Sequence, residues 1–240
     1  MKTMVTTVLL LAASSAGAQT ITYTGASCTH SSLAVTASCT LAAPASIGDL
    51  EVITSKSSSN TASVRAVLTF AGTASCSKPT QVIAPDRATW QNNGPGHFVI
   101  TMFACIVTTP GAASPVVTWF GSDAAFTDIK VGTYHTTTSW APNFVDKVAT
   151  NVATESSTRC STGTIAATTN ADDLIVATCD NFNAAQTWEP LDGFTLRANS
   201  SRNTTGWYDT RVSSNGTQTA TIPLSSSDLG VGMIAAFSAK

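Results

Sequence analysis

Two stretches decide the fold: Thr40 to Thr54, TLAAPASIGDLEVIT, and Thr164 to Thr178, TIAATTNADDLIVAT. Aligned without a gap they share Thr40/Thr164, Ala42/Ala166, Ala43/Ala167, Asp49/Asp173, Leu50/Leu174, Val52/Val176 and Thr54/Thr178. Each passes from small and turn-forming residues into a β-branched, alternating run, which is how a strand begins. Agreement resumes downstream. Val107-Thr108-Thr109-Pro110-Gly111 matches Val212-Ser213-Ser214-Asn215-Gly216, and Gly111 to Ser122-Asp123 has the spacing of Gly216 to Ser227-Asp228. Val131-Gly132 and Val231-Gly232 close the two series. The sequence therefore predicts an all-β fold, a two-sheet jelly-roll-like sandwich with internal pseudo-duplication. The halves run over 34–140 and 158–240 of a single domain spanning 34–240.

Strand signals fill the rest of the chain and helix signals do not. Thr20 to Thr24, Ala62 to Phe70 and Gly216 to Leu224 alternate apolar with polar residues, and most of the prolines fall between such runs. His97 to Val107 and Val231 to Phe237 are longer apolar runs, expected as strands buried on both faces or across the sandwich centre. About 12–14 strands result. The halves differ most between Phe70 and Gly96: Asp49 to Val107 spans 58 positions where Asp173 to Val212 spans 39. An insertion on a repeated scaffold is a natural place for function.

The first 18 residues read as a secretion signal: Lys2, an apolar run over Val5 to Ala13, and the cleavage pattern Ala16-Gly17-Ala18. Residues 19–33 then form an N-terminal strand segment. The six cysteines, at 28, 39, 76, 105, 160 and 179, lie beyond that signal and contain no C-x-x-C. An even count in this setting predicts disulfides, and sequential pairing (Cys28–Cys39, Cys76–Cys105, Cys160–Cys179) is preferred. Removing Lys2 leaves 11 basic against 14 acidic residues, with only 11% of the chain charged. No basic run exists to meet nucleic acid or an anionic membrane, and no other apolar stretch is long enough to insert in one. The expected location is secreted or extracellular, at the cell surface or in the periplasm.

The series Gly48-Asp49-Leu50, Asp86-x-x-x-Trp90, His97 to Cys105, Val116 to Phe120 and Asp128 to Val131 resembles a broad group of uncharacterised secreted bacterial β-sandwich proteins. In that group GDL opens a strand and D-x-x-x-N-x-[YW] follows a loop. Gly193 to Arg197 and Ala235-Ala236-Phe237 are similar to the same group. Met102-Phe103-Ala104 departs from it where Tyr is common. The resemblance implies a fold and no chemistry.

Chemistry is sparse. The chain has no G-x-S-x-G elbow and no H-E-x-x-H. Its three histidines, His30, His97 and His135, are unevenly spaced for a metal, so no metal site is assigned. A structural calcium is the one cofactor considered, from the oxygens of Asp180-Asn181-Phe182-Asn183 and Asp172-Asp173. Glu189, beside Trp188, and Asp209, beside Trp207-Tyr208, form the alternative reading: a glycoside-active hydrolase with paired carboxylates. The preferred expectation is non-catalytic, an extracellular structural or adhesion protein. Its partner is either itself, through strand addition by Thr20 to Thr24, or a polysaccharide met by Trp90, Asn92, Asn93, Trp188 and Trp207.

Overall fold

A computed structural model describes residues 19–32, 34–59, 65–72, 75–77, 80–83, 88–90, 96–111, 113–120, 126–181, 185–199 and 204–240. The signal segment, residues 1–18, and the Ser122-Asp123 pair lie outside them. The chain is all-β. Seventeen strands among the described residues, more than the alternation alone suggests, make four antiparallel sheets.

The largest sheet is built on β3 (Leu50–Ser59), which lies between β10 (Phe126–Thr136) and β8 (Gly96–Thr109). β1 (Ile21–Ser32) covers the outer edge of β10. Three short strands, β5 (Ser75–Cys76), β6 (Thr80–Ile83) and β7 (Ala88–Trp90), cover the outer edge of β8. The insertion of the first half is thus an edge cover. A strand as long and apolar as β8 needs ladder partners on both sides.

The second large sheet repeats that order. β13 (Leu174–Asn181) lies between β17 (Gly230–Ala239) and β15 (Thr205–Arg211), with β11 (Trp140–Val152) outside β17 and β14 (Thr195–Asn199) outside β15. β11 is therefore the counterpart of β1, and β1 belongs to the body of the protein rather than to a separate N-terminal segment. Two smaller sheets lie outside: β2 (Thr36–Ser38), β9 (Ala113–Phe120) and β4 (Arg65–Gly72) on one side, β12 (Ser157–Ile165) with β16 (Gln218–Asp228) on the other.

Strand alternation sorts the side chains into three cores. Leu50, Val52, Met102 and Tyr134 of one large sheet meet Leu174, Val176, Trp207, Met233 and Phe237 of the other. Ile53, Phe103, Ile129 and Val131 point oppositely, onto Leu68, Val117 and Trp119. Ile175, Ala177, Tyr208 and Ile234 point onto Ile165, Ile222 and Leu224. The expected pair of sheets is replaced by four stacked layers. The physical reason lies in β8, β13 and β17: with apolar side chains on both faces, each demands cover on both.

The quoted stretches occupy matching places. Asp49 O accepts from Val107 N at 2.8 Å and Val107 O from Gly48 N at 2.9 Å; Asp173 O accepts from Val212 N at 3.1 Å and Val212 O from Asp172 N at 2.7 Å. Gly48 (φ 88°) and Asp172 (φ 74°) both take the left-handed turn that this closure requires. The Val131/Val231 match is out of register. Leu50 pairs with Tyr134 and Leu174 with Phe237, so the counterpart of Val131 is Ile234. Gly232 is small for another reason: a Cβ there would lie 2.1 Å from the Ser161 carbonyl oxygen.

The disulfides are Cys28–Cys39, Cys76–Cys105 and Cys160–Cys179, the sequential set. Such bonds persist in an oxidising compartment.

Candidate functional site: the seam cleft

A cleft of about 140 Å³ opens at the seam where the two large sheets meet. β1 and β10 supply Ile21, Tyr23 and Tyr134, and the opposite wall includes Thr195 and Arg197 from β14 and Asp209 from β15. Alternation on β15 decides which acid faces it: Tyr208 turns to the outer core and Asp209 to the seam. The Arg197 Nε donates to both carboxylate oxygens of Asp209, at 2.9 and 2.8 Å. Its guanidinium lies 4.5 Å from the centre of the Tyr23 ring, which meets Tyr134 edge-on at 5.5 Å. A cation–π stack, an ion pair and an aromatic floor thus converge from both halves. The Tyr134 hydroxyl is buried at the cleft floor, beside Asp209 and Trp207. Burial, reinforced by the Asp209 charge, pushes its pKa well above the usual phenol range, so the hydroxyl keeps its proton and can donate.

The sequence-predicted site residues do not assemble. Asp209 lies in the cleft, but Glu189 is exposed on the other side of β15, where its backbone carbonyl accepts from the Tyr208 hydroxyl at 2.9 Å. Burial, with the Glu189 charge nearby, raises that Tyr208 pKa to about 12. Glu189, in the irregular segment before β14, and Asp209, on β15, are thus not brought together as the paired carboxylates of a glycosidase would be. Trp188 is buried against Gly206, where a Cβ would sit 2.4 Å from the indole. Trp207 is buried between the large sheets, its ring 3.1 Å from a Cβ placed on Gly132. Both are core residues and offer no face to a sugar. Trp90 closes β7 opposite Gly96; Asn92 and Asn93 lie outside the described residues.

Of the residues proposed for calcium, Phe182 and Asn183 lie outside the described residues, and three others make side-chain contacts of their own. Asp180 accepts from Lys56 at 2.6 Å, Asn181 donates to Asp228 at 2.9 Å, and Asp172 pairs with Arg211 at 3.1 Å. His135 binds Asp49 at 2.8 Å, while His30 pairs along β1 with Ile129 and His97 along β8 with Ser59, so the histidines spread over the sheet. Glu51 approaches Cys76 and Cys105, whose sulfurs are spent on each other. Its own carboxyl is 1% exposed, and burial, helped by the Asp49 charge, raises its pKa to about 7.

No family model, curated protein or solved structure matches this chain. The cleft therefore stands on its own geometry. Sequence reasoning missed Arg197, Tyr23 and Tyr134 as a set. The available signal was the Arg197-x11-Asp209 pairing of oppositely charged residues on adjacent strands, in a chain where charge is scarce.

Proposed function

We propose that this is a secreted, non-catalytic extracellular or cell-surface protein, a duplicated β-sandwich related to the bacterial group it resembles, whose seam cleft binds a neutral glycan. The observation that carries the reading is the cleft's chemistry: an aromatic–guanidinium stack beside a carboxylate and a protonated Tyr134 hydroxyl. Such a set stacks on a sugar face and satisfies its hydroxyls. At about 140 Å³ the cleft suits one sugar unit or a chain end, well below the roughly 300 Å³ at which drug-sized pockets begin. Three disulfides support an oxidising location.

Self-association by strand addition is less favoured, because Ile21, Thr22 and Tyr23 already pair with Thr136, His135 and Tyr134 of the same chain. Light scattering on the chain from residue 19 should give a monomer, and long polymers would restore strand exchange as the leading reading. The binding test is retention on immobilised neutral polysaccharides. Wild type should be retained, and Arg197→Met should lose about tenfold in affinity, roughly 1.4 kcal/mol, while still folding, with a melting point lowered by loss of the Asp209 ion pair. A wild type that binds none of them, or an equally retained Arg197→Met, would remove the cleft from consideration.

A further inference from the structure

Lys56, Asp128, Lys130 and Asp180 form a cluster of charged side chains buried between the two large sheets. Their placement follows from register. Lys56 and Asp128 are directly opposed on β3 and β10, so their side chains share the inner face. Asp180 and Thr205 are directly opposed on β13 and β15, facing them from the other sheet. Lys56 Nζ reaches Asp180 Oδ1 at 2.6 Å, with side-chain exposures of 9% and 1%. Lys130 holds Asp128 Oδ2 at 3.0 Å, and the Thr205 hydroxyl reaches the same oxygen at 3.4 Å. A cavity of about 10 Å³ lined by Lys56, Lys130, Asp180 and Thr205, near Ile100 and Met233, is close to the size of one water.

We propose that Lys56 and Asp180 are joined in the mature protein by an isopeptide bond, with Asp128 as the proton carrier. The step begins with transfer of a proton from Lys56 Nζ to the Asp180 oxygen 2.6 Å away, since only an unprotonated nitrogen has a lone pair to attack with. Burial raises the pKa of Asp180, which favours that acid form. The Lys56 nitrogen lone pair then attacks Asp180 Cγ and a C–N bond forms. The Asp128 carboxylate takes the proton that nitrogen sheds and delivers it to the departing hydroxyl. The Cγ–O bond breaks, one water leaves, and Asp128 returns to its starting state. Nothing is oxidised or reduced.

The link would supply what the rest of the fold omits. Each disulfide, and each ladder among the described residues, stays within one half: residues 21–136 or 140–239. Among the described residues, this contact, with partners 124 residues apart, places an amine against a carboxyl across the seam, where a covalent tie could form.

The test is the intact mass of the full secreted chain after reduction and alkylation. The expected mass is one water less than the mature sequence, and a tryptic digest should yield a branched peptide joining the Lys56 and Asp180 segments, uncut after Lys56. Lys56→Met should recover the full mass. Should that variant fail to fold, Asp128→Asn keeps both joining groups and should leave most of the folded protein unlinked. A folded wild type of full mass, or a water loss confined to one unbranched peptide, would overturn the bond. An Asp128→Asn protein linked as completely as wild type would remove Asp128 from the reaction.

Discussion

Residues 21–136 and 140–239 lay their strands in the same order, yet close their outer layers differently. At the place where the first half sets Ile129 opposite Ser55, the second sets Gly232 opposite Cys179. Ile129 fills the space beneath β9 and β4, whereas Gly232 lets the backbone of β12 lie directly on β17. The first half spaces its layers with side chains and the second lets backbones touch. A second contrast lies one strand over. Glu51 stands where the other half has Ile175, so one core carries a buried carboxyl at a position that its twin fills with hydrocarbon.

The sharpest way to break the comparison is Gly232→Ala. Its Cβ would meet the Ser161 carbonyl oxygen at 2.1 Å, which only a backbone shift relieves. The expected loss is about 3 kcal/mol or more in urea unfolding, against about 1 kcal/mol for Ile129→Val. Equal losses would mean that the two outer layers are spaced alike.

Next comes Glu51→Ile, which lends the first half its twin's residue. The folded pKa of Glu51 is raised to about 7, so the folded state holds a proton that the unfolded chain releases at lower pH. Stability linked to Glu51 is fully present below about pH 4.5 and is lost as pH rises through about 7, a loss of about 3 kcal/mol. The variant should therefore gain about that much at pH 8 and flatten the profile between these limits. A gain of equal size at low pH would place its origin in packing instead.

The smallest effect is expected where the halves already agree. Asp49 holds His135 at 2.8 Å, and Asp173 holds Ser238 at 2.8 Å from the matching register position. The His135 side chain is half exposed, so His135→Ser should shift stability by less than about 0.5 kcal/mol. A larger loss would give the imidazole a structural task that its counterpart lacks.

The strand openings were legible in the sequence because Asp49-Leu50 and Asp173-Leu174 keep both the turn acid and the alternation. The disulfide order was legible because each pair brackets a short span. The layering was not, since an apolar strand does not state what covers each face. The match of β1 to β11 was hidden because Ile21-Thr22-Tyr23 and Trp140-Ala141-Pro142 share only a place at a sheet edge. Trp188 and Trp207 misled for a related reason: exposure of an indole is set by the glycine opposite, Gly206 or Gly132, far away in sequence. Arg197 and Asp209 are separated by a β14–β15 hairpin whose register carries a bulge, which blurs pair assignment from spacing.

The confinement of the ladders to each half has a bearing on synthesis. Once residue 136 has emerged, β1 can find β10 and the first large sheet can complete its hydrogen bonds without waiting for the rest of the chain. The face holding Leu50, Val52, Met102 and Tyr134 would still be wet, because its cover starts at Trp140. A nascent chain thus passes through an interval in which it is stitched but sticky. The length of that interval is set by how fast the remaining hundred or so residues arrive.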